Sequence, residues 1–104
     1  MDDPRRLALQ KALEAILGSR NVYFQPPASV HMKYPAIVFN LDRMRVRNAD
    51  NIAYTHRKQY SVTVIGYDPD EDWPSIMLDN FPYCSFERWY AADNLNHWQF
   101  ALYW

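Results

Sequence analysis

Apolar side chains recur along the first part of the chain with the period of a helix. Leu7, Leu9, Leu13, Ile16 and Leu17 fall at mostly helical spacing. Asp3 followed by Pro4 predicts an N-cap and a first-turn proline, and Gly18 supplies a stop. From there the period shortens to two. VYFQ (22–25) predicts a short strand halted by Pro26-Pro27, and AIVFNL (36–41) predicts a stronger one launched by Tyr34-Pro35. RMRVR (43–47) alternates basic and apolar residues and extends or pairs with that strand, while NADNIAY (48–54) has turn chemistry. RKQYSVTVIGY (57–67) is the clearest strand, with Tyr60, Val62 and Val64 on one face and Ser61, Thr63 and Ile65 on the other. SIMLDNF (75–81) is long enough for a short helix. CSFERWYA (84–91) and HWQFALYW (97–104) flank ADNLN and predict a hairpin. The expected fold is therefore α+β: an N-terminal helix packed on a mainly antiparallel β-sheet, a short second helix, and a C-terminal β-hairpin.

Composition narrows the function classes. A chain of 104 residues, 49% hydrophobic, fits a single domain over 1–104 with one modest core. Two glycines are too few for a Gly-rich phosphate cradle, and a formal charge of −1 gives no global pull toward nucleic acid or an anionic membrane. No apolar run approaches the roughly 20 residues of a membrane helix, and MDDPRRLALQ lacks the order of a signal peptide. The single cysteine, Cys84, excludes an intramolecular disulfide and suits a reducing compartment. The expectation is a soluble domain made inside the cell.

The chemical candidates are weak. In DPDEDWPSIMLD (68–79), Asp68, Asp70, Asp72 and Asp79 imitate calcium-loop spacing, but Trp73 stands where such a loop turns on glycine, and a strand precedes it. The better reading is a turn at Asp68-Pro69-Asp70 followed by Asp72 as N-cap of the short helix. His31, His56 and His97 form no ligand pair. Cys84 with His97 across the hairpin is a thin case for thiol chemistry, since Cys84 begins an apolar face with Phe86. No catalytic set, metal set or cofactor is expected, and the protein is not expected to be an enzyme.

Two features point to contacts instead. Arg43, Arg45 and Arg47 fall on one face of an extended segment, with Arg57 shortly after, and suit either a partner subunit's acidic patch or a phosphate backbone. The plainer alternative is a charged strand that discourages edge-to-edge aggregation. In the last strand Trp98, Phe100 and Trp104, with Tyr103 opposite, load both faces with aromatics, and Trp89 and Tyr90 do the same before it. A domain this small has too little helix to cover both faces, which predicts burial of one by another chain.

The strings NVYFQPP (21–27), MKYPAIVF (32–39), YSVTVIGYDPD (60–70) and PYCSFERWYAADNLNH (82–97) resemble, in order and over nearly the whole chain, the tail completion or tail terminator proteins of long-tailed phages and prophages. Tyr23, Phe24, Gln25, Pro26 and Pro27 match that family's first strand and stop, Tyr34 and Pro35 the start of its central strand, and Asp93, Asn94, Leu95, Asn96 and His97 its hairpin tip. The resemblance implies a structural virion protein, assembled in the bacterial cytoplasm, that forms a ring, usually a hexamer. Such a ring caps the tail tube, meets the head connector, and lets DNA pass without specific binding. Its partners would be itself, the tail tube protein and the neck proteins, with no membrane. Candidate interface residues are Arg43, Arg45, Arg47, Arg57, Asp93, Asn94, Leu95, Asn96, His97, Tyr103 and Trp104. The arginine segment matches no pattern of the family. A head-closure or head–tail adaptor protein is the neighbouring alternative, and a small nucleic-acid-binding protein using the arginine face is the distant one.

Overall fold

The computed structural model describes residues 3–44 and 58–104. Helix α1 runs Pro4–Leu17. Asp3 caps it by accepting from the Arg5 backbone N–H at 3.0 Å, and Gly18 ends it at φ 76°, a left-handed conformation that only glycine takes without a Cβ penalty. Strands β1 (Val22–Phe24), β2 (Ala36–Met44) and β3 (Lys58–Gly66) follow, then helix α2 (Trp73–Asn80), and strands β4 (Cys84–Ala92) and β5 (Leu95–Tyr103). The five strands form one sheet in the order β1-β2-β3-β5-β4. Only the β1–β2 pair is parallel. The architecture is the α+β arrangement expected from the pattern.

Several boundaries differ for physical reasons. β1 ends at Phe24 because Gln25 turns left-handed (φ 45°), one residue ahead of the Pro26-Pro27 stop. The strand beginning at Ala36 follows a cis Tyr34-Pro35 bond and continues through Met44, with a register shift between Leu41 and Arg43. The turn predicted over 48–54 lies outside the described residues. α2 starts earlier than SIMLDNF, at Trp73, because Asp72 does cap it: its side chain accepts from Ser75 N at 3.4 Å. Asp68 makes the predicted turn by accepting from Asp70 N at 2.9 Å.

Register explains where the core sits. On the side facing both helices, β2 to β4 line up as Ile37–Val64–Trp98–Trp89, Phe39–Val62–Phe100–Phe86 and Leu41–Tyr60–Leu102–Cys84. Leu9 and Leu13 of α1, with Trp73, Met77 and Phe81 at α2, close over the middle of these rows. Full burial of one such Leu or Phe is worth about 1.5–3 kcal/mol, so these rows dominate stability. The opposite face carries Ala36–Ile65–His97–Tyr90, Val38–Thr63–Gln99–Arg88 and Asn40–Ser61–Ala101–Ser85, and the core residues of both helices lie on the other side. Its rows mix small and polar residues that are partly exposed with Ala36 and Ile65, which are buried.

Candidate functional site

The two edges of the sheet are unlike. At β1 the outward backbone groups of Val22 are already used. Ile37 N donates to Asn21 O and Gln25 N to Phe39 O, so Val22 turns its own groups away from β2. The Val22 carbonyl then accepts from Gln10 Nε2 of α1 at 3.0 Å, and its N–H donates to Arg20 O at 2.8 Å. β1 is short and tied down. β4 at the far edge is nine residues long and almost wholly exposed. The apolar rows run straight out onto it: Phe86 keeps 40% of its surface in solvent and Trp89 50%, whereas their row neighbours Phe100 and Trp98 keep 1% and 4%. Phe86 touches Phe100 with ring centroids 5.4 Å apart, so it is the outermost member of the core and not a detached side chain. A register shift between Phe86 and Arg88 makes a bulge that leaves Glu87 unpaired and exposed beside them.

A groove opens at the other end of β4. It holds about 330 Å³ and lies between the first turn of α1, the α2–β4 connection and the end of β5. Ala8, Phe81, Pro82, Leu102 and Trp104 make it largely apolar, and Arg5 stands among its lining residues. Trp104 holds this corner together. Its indole N–H donates to the Arg5 carbonyl at 2.7 Å, and its ring packs edge-on against Phe81 at 5.9 Å. At the same corner Lys58 Nζ pairs with Asp3 at 3.1 Å. That hydrogen bond, followed by the one from Arg5 N, holds the Asp3 carboxyl below its usual range.

Among the described residues, those proposed from sequence as interface residues lie in different places. Arg43 lies in β2 opposite Gln59, while Arg45, Arg47 and Arg57 fall outside the described residues. The hairpin tip is shorter than the string ADNLNH implied. Asp93 (φ 54°) and Asn94 (φ 63°) alone make the turn, with the positive φ at both positions that a type I′ hairpin requires, and Leu95, Asn96 and His97 already belong to β5. Asn96 is buried, and its side-chain amide donates to the Gly66 and Tyr67 carbonyls at 3.4 and 3.2 Å. His97 stacks on Tyr90 at 4.7 Å on the helix-free face, where the Arg88 guanidinium also lies 4.9 Å above the Tyr90 ring. Tyr103 sits half-buried at the end of β5, its backbone N–H donating to Tyr83 O at 2.9 Å.

The thiol candidate does not come together. Cys84 lies opposite Leu102 and His97 opposite Tyr90, six positions apart along β4 and on opposite faces of the sheet. Burial pushes the Cys84 thiol up to about 11, which leaves it protonated at neutral pH. Among the described residues no three His, Cys, Asp or Glu side chains are grouped to hold a metal ion. Among the described residues two buried polar atoms, Gln59 Oε1 and Trp73 Nε1, have no hydrogen-bond partner; Gln59 lies on the face opposite Tyr60, and Trp73 in the core under α2. Sequence reasoning named neither Phe86 nor Glu87 as a contact residue. The available signal was the apolar character of CSFERWYA, which is a site only because that strand turns out to be an edge. In comparisons with known proteins, the chain matches no family model, no curated protein and no solved structure.

Proposed function

We propose that the protein is a structural subunit of a long-tailed phage virion, forming a ring that caps the tail tube and joins it to the head connector. One observation carries the reading toward assembly. The apolar rows of the core continue onto an edge strand where Phe86 and Trp89 remain 40% and 50% exposed. Large adjacent apolar side chains left at a rim mark a surface that another chain covers. The tail-terminator identity itself rests on the strings from NVYFQPP to ADNLNH. The two edges also differ, and a ring joins unlike surfaces head to tail, so that one patch of each subunit meets another patch of its neighbour.

Native mass spectrometry of the purified protein, alone and mixed with assembled tail tubes, tests this. A closed ring, or stoichiometric capture on tube ends, is the expected result. Binding to the connector with indifference to tubes would move the protein one joint toward the head, as a head-closure or adaptor protein. Retention on DNA that falls steeply with salt, with neither assembly partner bound, would replace the proposal with a nucleic-acid-binding role for the arginine face.

A further inference from the structure

We propose that the ring contact, on the assembly reading above, is made by Trp89 of one copy seated in the apolar groove between α1 and the sheet end of a second copy. Both halves of the contact are present on one chain. Trp89 lies on the helix side of the edge strand with half its surface in solvent, on the same face as Phe86. The groove holds about 330 Å³ and is walled by Ala8, Phe81, Pro82, Leu102 and Trp104. Tryptophan is among the residues enriched as interface anchors in apolar pockets, with its indole N–H left to find an acceptor at the rim.

A chain cannot fill its own groove. Cys84 lies opposite Leu102 at the groove, whereas Trp89 lies opposite Trp98. Their partners Leu102 and Trp98 are four positions apart in β5, which at ~3.3 Å each is about 13 Å on a rigid sheet. The occupant must therefore come from elsewhere, and a second copy of this chain carries it. Charge agrees with that choice. The bulge exposes Glu87 two residues from Trp89, and Arg5 lines the groove, so seating Trp89 brings an acidic group toward a basic one. Pairing by the β4 backbone is the weaker route, because the bulge and the charged Glu87 and Arg88 interrupt the very edge that a second strand would have to follow. Since knob and groove are different patches, repeating the contact gives a head-to-tail series that closes if the rotation allows.

Sedimentation velocity over a concentration series, with and without tail tubes, tests the contact. Trp89→Ala is expected to weaken association about tenfold or more, with the far-UV spectrum and melting of the monomer retained. Glu87→Arg is expected to weaken it too, and adding Arg5→Glu to Glu87→Arg to recover part of the loss, while Arg5→Glu alone weakens. Rings that form unchanged with Trp89→Ala would overturn this contact and leave the ring reading standing. A reciprocal dimer that depends on Trp89 would support the contact and overturn the ring. No association at any concentration, on tubes or off them, would overturn both.

Discussion

Phe86 and Phe100 offer a direct measure of how far the core reaches. They lie opposite each other in β4 and β5, their ring centroids 5.4 Å apart, yet one keeps 40% of its surface exposed and the other 1%. Phe100→Ala empties a position enclosed by Val62, Phe86 and the helices, and such truncations cost about 3–5 kcal/mol once the cavity is included. Phe86→Ala removes a side chain only about 60% buried and leaves no closed cavity. Scaling the ~1.5–3 kcal/mol of full burial gives about 1–2 kcal/mol. A domain of this size has about 5–15 kcal/mol in total, so the first change removes a large share and the second does not. In urea, with m near 1–3 kcal/mol per molar, the midpoints should fall by about 2 M and by less than about 1 M. The double variant should show a coupling of about 0.5–1.5 kcal/mol from the lost ring pair. Equal losses for the two single variants at low protein concentration would refute the claim that Phe86 is the open rim of the core. If a second copy covers Phe86, its apparent cost should grow as protein concentration rises, while that of Phe100 holds steady.

Three further outcomes follow from the local geometry. Asn94→Ala places a Cβ-restricted residue at φ 63° and should cost about 1 kcal/mol by chemical denaturation, whereas Asn94→Gly should be neutral or stabilising; an unaffected Ala variant would mean that the turn is not the strained type I′ form. Asp3 has its carboxyl held below the usual range by Lys58 first and Arg5 N second, so its contribution is present above the unfolded-state value and lost as pH falls through the folded one. The melting difference between wild type and Asp3→Asn should therefore be largest near neutral pH and close in acid. Cys84 runs the other way: burial raises it from 9.0 to about 11, so the folded state holds the proton longer than the unfolded chain and stability should fall as pH rises across that interval. A thiol reagent at pH 8 should react with it slowly, because the half-buried thiol stays protonated, and reaction as fast as that of a free cysteine would contradict the raised value.

Much of the fold was legible because its signals are local. Asp3-Pro4 and Gly18 bracket α1, Asp72 caps α2 as its position before the apolar run required, and the alternation of Tyr60, Val62 and Val64 is the buried face of β3. The candidate site was much less legible, since it depends on which strand lies outside. β4 and β5 read almost alike as aromatic-rich segments. The last strand in sequence inserts between β3 and β4, and that single topological fact turns Trp98 and Phe100 into core and leaves Trp89 and Phe86 at the rim. Within the segments the one local hint is the charged pair Glu87-Arg88 in β4, which β5 lacks and which edge strands often carry. The bulge at Glu87 and the reach of Asn96 to the Gly66 and Tyr67 carbonyls are likewise long-range facts, invisible to a reading by period. The five-residue tip was overlong for a related reason: Asp and Asn can adopt positive φ in place of glycine, so the ladder resumes at Leu95 without a glycine to mark the turn.

The contrast between the edges also constrains how any assembly of this chain can be built. At β1, Gln10 takes the Val22 carbonyl and the strand stops after Phe24, so that edge offers little backbone for a neighbour to follow. At β4 the backbone is long, but its bulge and charges interrupt a regular ladder. Continuous sheet extension around a ring is thus disfavoured from both sides, and side-chain contact becomes the available means of joining subunits. Such contacts have a physical advantage for a protein that must wait for its partner. A knob in a pocket buries little area and holds weakly as one pair, while closing a ring, or binding a multivalent tube end, raises the effective concentration of every remaining contact. On the proposed ring reading, the same surface is compatible with a free subunit in dilute solution and a stable ring on a tube end. The concentration dependence measured through Phe86 and Trp89 distinguishes that behaviour from a sheet that merely ends in an exposed strand.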